Sequence, residues 1–211
     1  MRHKFTSTFR SFCNKSKNFQ EIIARETEIV RNQLVPELKL HLITPKCRLY
    51  HSKIDDSFPF PSEPFFAFFW PGGISVTRYI FDNQQLVRNK SVLDFGSGSG
   101  AIAIAAKMCG AKRTVANDID EVASYAANLN AKLNHVVIDT ESTNLINDPS
   151  TLNYDIIFFG DVFYDEDFAA LILPWVKNLI KNNKKVIIGD PGRHALKNKL
   201  DLNLKLLSRY E

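Results

Sequence analysis

Cysteine is scarce in this chain: Cys13, Cys47 and Cys109 are the only three among 211 residues. They stand far apart and never in C-x-x-C spacing, which argues against a zinc site or a disulfide framework and suits a reducing compartment. Long apolar runs are missing too. No stretch approaches the roughly 18 uninterrupted apolar residues of a membrane span, so none is expected. The five histidines are scattered and read as surface or packing residues, so no metal site is expected. Acidic residues are absent from residues 1–20, which hold Arg2, Lys4, Arg10, Lys15 and Lys17, five of the 27 basic residues and none of the 23 acidic ones. The formal charge of +4 therefore sits mainly in that segment. The rest is close to neutral, which argues against nucleic acid as a partner of the folded body.

Within the basic segment, Phe5, Phe9 and Phe12 fall at i, i+4 and i+7 among Ser and Thr. This is the pattern of an amphipathic mitochondrial transit segment, with a disordered basic arm as the alternative. It points to the mitochondrial matrix. No compact apolar region of the secretory type is present. A length of 211 residues at 45% apolar content suits one α/β domain, with residues 1–20 as the transit-like segment, 21–73 as an N-terminal extension and aromatic lid, and 74–211 as the catalytic domain. Phe19, Ile22, Ile23, Val30 and Leu34 keep helical spacing, and Leu38–Leu42 alternates like a short strand. Asp55 to Pro71 is rich in proline and aromatics, and Gly72-Gly73 reads as a break before a helix from about Ile74 to Val87. The aromatic stretch is either a lid, in which Trp70 faces a cationic group by cation-π attraction, or a cluster sealing one edge of the core.

Val92 to Gly100 carries the chemistry. An apolar strand ends in Asp94 and breaks into Gly96, Gly98 and Gly100, after which Ala101–Cys109 continues as a helix closed by Gly110. Such a turn puts unpaired N–H groups of a helix N-terminus against a ligand, and glycine lets the backbone approach it. Gly96, Gly98 and Ala101 formally satisfy the dinucleotide fingerprint, but an anionic Asp94 would repel a pyrophosphate. S-adenosylmethionine carries a sulfonium and an ammonium and no phosphate, so a carboxylate there favours it. NAD and a simple packing turn are the alternatives. Lys112 to Asp118 reads as the second strand, with Asp118 as ribose acceptor or as cap of the helix Glu121–Lys132, and Asp120 as that cap. His135–Asp139 is the third strand candidate, Tyr154–Gly160 the fourth and Lys184–Asp190 the fifth. Asp161 follows the fourth strand at the switch point of the sheet, where it meets the methyl acceptor or caps the next helix. Asp165, Glu166 and Asp167 suit the N-terminus of a helix ending near Lys181.

Asp94-x-Gly96-x-Gly98-x-Gly100, Asn117-Asp118 and Asp161-x-x-Tyr164 together resemble the class I S-adenosylmethionine methyltransferases, in particular the family-16 protein-lysine group. Within that group the segments Leu34–Glu37, Leu42–Arg48, Phe69–Gly73, Lys90–Asp94, Ala105–Met108, Ala116–Asp120, Gly160–Asp167 and Ile188–Arg193 are similar to the mitochondrial enzymes that act on the electron-transfer flavoprotein β-subunit. The resemblance implies a Rossmann-like, doubly wound, mostly parallel sheet of strand order 3-2-1-4-5-7-6. It also implies S-adenosylmethionine as cofactor and lysines of that β-subunit as acceptor. Trp70, Asp94, Gly96, Gly98, Gly100, Asp118 and Asp161 are the expected cofactor residues, and Asp161 and Tyr164 the residues that orient the acceptor nitrogen. After Arg193 only the helix-like stretch His194–Glu211 remains, with Leu196, Leu200, Leu204 and Leu207 at helical spacing, so the sheet is expected to be truncated after strand five. An NAD-dependent oxidoreductase and an inactive S-adenosylmethionine-binding interaction protein are the competing readings.

Overall fold

A computed structural model describes residues 19–55, 57–197 and 204–210. Residues 1–18, which carry the transit-like pattern and Cys13, lie outside the described residues, as does Leu200.

Residues 19–26 form helix α1. Strands β1 (Glu28–Val30) and β2 (Leu40–Leu42) then pair antiparallel, with Glu28 opposite Leu42. The periodicity that predicts helix as far as Leu34 fails at Thr27, where β-branched residues begin and favour extended backbone. Helix α2 spans Pro71–Asp82 and starts on proline, whose missing N–H costs nothing at that position. The glycine pair therefore lies inside the helix rather than before it. Next come β3 (Ser91–Phe95), α3 (Ala101–Met108), β4 (Arg113–Asn117), α4 (Glu121–Leu133), β5 (Asp139–Glu141), β6 (Ile156–Gly160), α5 (Glu166–Lys181), β7 (Lys185–Gly189) and the short α6 (His194–Lys197).

The five later strands form one parallel sheet in the order β5-β4-β3-β6-β7, the doubly wound arrangement expected for strands one to five. Two further expectations need correction. The third strand is Asp139–Glu141, not His135–Asp139: His135 takes φ +59 and Val137 is 82% exposed, so pairing with β4 begins only where Asp139 meets Val115. The leucines after Arg193 do not continue a helix through residues 204–210, and Leu204, Leu206 and Leu207 are exposed. Helical spacing stabilises little unless an apolar face is buried.

Side chains alternate across the sheet, as strand geometry requires. Val92, Ile156, Phe158 and Ile187 face one way and pack with α2 and α3. Leu93, Phe95, Ile157 and Phe159 face the other way onto Trp175, Val176 and Leu179 of α5. A third cluster presses Ile23, Ile43, Phe60 and Phe66 onto Val122, Ala123 and Ala126 of α4, which joins the N-terminal ribbon and aromatic segment to the sheet domain. No helix among the described residues is long and apolar enough to cross a membrane.

Candidate active site

The carboxyl ends of β3, β4, β6 and β7 converge, and the chain leaves β3 towards β4 on one side and returns to β6 on the other. That reversal opens a crevice where ligands bind in such sheets. The turn after β3 lies in it. Gly96, Gly98 and Gly100 have φ of +64, +50 and +77, the left-handed region that a side chain disfavours. Gly100 also caps α3 without a side chain, and a Cβ on it would stand 2.7 Å from Ala127 Cβ. A Cβ on Gly98 would point at the backbone of Phe66, 3.5 Å away. The aromatic segment therefore lies over the turn at van der Waals distance, and it is the positive φ that favours glycine at 98.

Beneath the turn, Asp94 is 1% exposed. Its Oδ2 accepts from Ala103 N in the first turn of α3 at 3.1 Å, while Oδ1 has no hydrogen-bond partner. Burial, with a smaller contribution from the charge of Asp118, pushes its carboxyl up to about 8. A buried carboxylate with a free lone pair is what a cationic ligand group would neutralise, and a phosphate would worsen its isolation. The residues present thus fit a sulfonium or ammonium cofactor and not a dinucleotide.

Asp118 sits one residue past β4. Oδ2 accepts from Gly98 N at 2.9 Å and Oδ1 from Asp120 N at 3.0 Å, so the carboxylate ties the glycine turn to the start of α4. Burial raises its pKa. Each oxygen retains a lone pair for a hydroxyl. The cap of α4 is Asp120, which accepts from Val122 N.

Asp161 follows β6 with φ +69 and is buried. It does not cap α5; Asp165 does, accepting from Phe168 N. Instead Asp161 Oδ2 accepts from Gly72 N in the first turn of α2 at 3.0 Å, and Oδ1 from Arg193 Nε at 2.5 Å. Tyr164 is exposed and stacks on Phe168, with ring centroids 5.9 Å apart. Partial burial and the charges of Asp118 and Asp165 raise its pKa. It makes no hydrogen bond to Asp161. Trp70 is part of an aromatic cluster with Phe65 and Phe68, and its Nε1 donates to Phe65 O.

Three contributors were not legible as such in the sequence. Arg193 reaches Asp161 from beyond β7. A Cβ on Gly72 would lie 2.2 Å from Gly189 O and 2.7 Å from Asp161 N, so the first turn of α2 rests directly on the ends of β6 and β7. Asn130, fully buried in α4, donates to Ser99 O of the glycine turn and accepts from His41 N of β2. Two clefts, of about 470 and 830 Å³, lie elsewhere, along the β1–β2 ribbon; their mixed-charge lining, including Arg25, Glu26, Glu28 and Lys46, has no connection to the glycine turn.

Fold and turn together define an S-adenosylmethionine-dependent methyltransferase of Rossmann-like architecture. The family model for ribosomal protein L11 methyltransferase (PrmA) matches residues 79–160, from α2 to the end of β6. The electron transfer flavoprotein beta subunit lysine methyltransferase of Mus musculus is 42% identical over 185 residues, covering 84% of this chain and 72% of the relative. The Caenorhabditis elegans homolog is 39% identical over 187 residues, covering 82% and 76%. The solved ribosomal protein L11 methylase of Lactobacillus delbrueckii subsp. bulgaricus is similar at 28% identity with a TM-score of 0.41, covering 55% of this chain and 57% of that one. The chain belongs to the electron transfer flavoprotein beta subunit lysine methyltransferase family.

Proposed function

We propose that the chain methylates lysine side chains of the electron-transfer flavoprotein β-subunit, and does so in mitochondria. The observation that carries the methyl-transfer half is the buried Asp94 carboxylate, with one oxygen unpaired beneath a left-handed glycine turn. The names of the relatives support the substrate. The basic, acid-free residues 1–20 support the compartment.

S-adenosylmethionine, when bound, would supply a methyl group on a cationic sulfur; a neutral amine nitrogen would take it, the N–C bond forming as the C–S bond breaks with its electron pair left on sulfur, and the methylammonium product would then shed a proton. Asp94 stabilises the positive end of the cofactor, and Gly96, Gly98 and Gly100 let the backbone approach it. Asp118 would take the ribose hydroxyls on its remaining lone pairs, and Trp70 would lend an aromatic face to the cation. Asp161 and Tyr164 orient the incoming nitrogen. A free lysine has a pKa of about 10.4, so reaching the neutral amine near pH 8 costs roughly 3 kcal/mol. Placement in line with the methyl supplies the rest of the acceleration.

The test is incubation of purified chain with methyl-labelled cofactor and purified flavoprotein, followed by mass spectrometry of the β-subunit. Label on its lysines supports the reading. A β-subunit left without label, while the chain labels another protein when a mitochondrial extract is supplied instead, would overturn the substrate, and binding of NAD in place of the cofactor would overturn the chemistry.

A further inference from the structure

Arg193 is placed with more care than a surface cation needs. Asp190 Oδ1 accepts from both Gly192 N, at 2.7 Å, and Arg193 N, at 2.6 Å, which fixes the turn after β7. The turn aims the arginine back over the ends of β6 and β7. Its Nε donates to Asp161 Oδ1 at 2.5 Å; the carboxylate side chain is 1% exposed and the arginine side chain 32%. Asp161 already has a partner on its other oxygen, the Gly72 N–H. The arginine satisfies the other oxygen, and unlike the backbone N–H it also brings a positive charge to the carboxylate.

That charge matters because of a conflict in the reaction. A bare carboxylate facing the acceptor would bind the incoming lysine as its ammonium, and an ammonium has no lone pair with which to attack the methyl group. An opposite charge at about 4–6 Å stabilises the charged form by roughly one to three pKa units. The surroundings add to the problem. Asp190 lies beside Arg193 with its Oδ2 unpaired, while the charges of Asp118, just past β4, and Asp165, the cap of α5, act on Tyr164. Glu166 is engaged by His194. Among the described residues, Arg193 is the cation in contact with Asp161.

The geometry points to Arg193 as a positioning residue that neutralises Asp161, so that this carboxylate accepts a hydrogen bond from the incoming lysine nitrogen without trapping it as the ammonium. The inference rests on the proposed reading of Asp161 as facing the acceptor. The lysine releases its proton to bulk water, the freed electron pair forms the N–C bond, and a remaining N–H stays directed at Asp161.

The experiment is steady-state methylation of the flavoprotein β-subunit by the full chain from pH 6.5 to 9.5 at saturating cofactor. In Arg193→Gln the acid limb of kcat moves up by about one pH unit. Turnover falls about tenfold at pH 7 and lies within twofold of the parent at pH 9.5, with cofactor affinity unchanged. Arg193→Lys, which keeps the charge, recovers most of the loss at pH 7. The double variant Asp161→Asn/Arg193→Gln, in which both charges are gone, has its acid limb back at the parental pH, and together with Arg193→Lys it carries the test if Arg193→Gln fails to fold. A pH-independent loss in Arg193→Gln, or one that follows weaker cofactor binding or a lowered Tm, would mean that Arg193 only braces the turn, and the inference would be wrong. Asp161→Asn alone separates the two layers. Turnover within twofold of the parent removes the acceptor reading of Asp161; a large loss in Asp161→Asn without a pH shift in Arg193→Gln removes only the inference.

Discussion

At the scale of single residues, Asp94 carries opposing demands. Its carboxyl, pushed up to about 8 by burial, keeps a proton in the folded chain that an unfolded carboxyl releases near 3.8. Between those two values the native state binds more protons than the unfolded one, so stability is highest below the lower value and falls as pH rises through the upper one. Asp94→Asn keeps the shape and removes the charge. Its Tm should match the parent near pH 4 and exceed it by several degrees at pH 8, at roughly 2–4 °C per kcal/mol for a chain of this size. Cofactor affinity should fall at least tenfold in the same variant, because the counter-charge of the sulfonium or ammonium is gone. Scanning calorimetry across pH, with titration calorimetry at pH 8, checks both halves, and a lower Tm at pH 8 would contradict the origin assigned to the shift.

Between elements, contacts rather than propensities hold the site together. The seat of α2 on the sheet depends on Gly72 and Gly189, and a Cβ on Gly189 would meet Gly72 O at 2.1 Å. Gly72→Ala should therefore give insoluble protein or lose several kcal/mol, on the order of an overpacked core substitution. Gly73, one residue on, leaves a Cβ 3.6 Å from the ring of Phe69, so Gly73→Ala should be neutral or stabilise by about 0.5–1 kcal/mol through helix propensity. Equal behaviour of the two in thermal melts would refute the packing account. Asn130 makes the second junction. Asn130→Ala leaves Ser99 O and His41 N without their side-chain partner, at a cost of roughly 1–3 kcal/mol. It should also weaken cofactor binding, since Ser99 belongs to the glycine turn. A variant that loses stability but binds cofactor as the parent does would show that this link serves the ribbon alone.

For the molecule as a whole, the cofactor is expected to act as a folding ligand, because the residues proposed to hold it lie on β3, just past β4 and under the aromatic segment. A ligand at a hundredfold excess over its Kd stabilises by about 2.7 kcal/mol. S-adenosylmethionine should accordingly raise Tm by roughly 5–11 °C at that excess, the shift growing with the logarithm of concentration. NAD at equal concentration should leave Tm in place. A shift with NAD and none with S-adenosylmethionine would overturn the charge argument built on Asp94.

The sequence by itself determined those features whose cause is local. Short β-branched and aromatic runs marked four of the five sheet strands, Gly96, Gly98 and Gly100 marked the turn, and the acidic residues Asp94, Asp118 and Asp161 stood at strand ends because period and composition are properties of neighbours in the chain. Asp120 and Asp165 likewise cap the helices that immediately follow them. What only the tertiary structure decided are matters of distant partners. Gly72-Gly73 reads as a break until β7 arrives to press on it; Gly72 N and Asp161 are 89 residues apart, and Arg193 and Asp161 are 32 apart. The third strand shifted because its pairing begins where β4 offers a partner, not where valines are densest. Asn130 looks like an ordinary polar helix residue, yet it is buried between the ribbon and the glycine turn. A local pattern records what a residue prefers, and only the folded chain supplies the atoms that satisfy its buried polar groups and close its gaps.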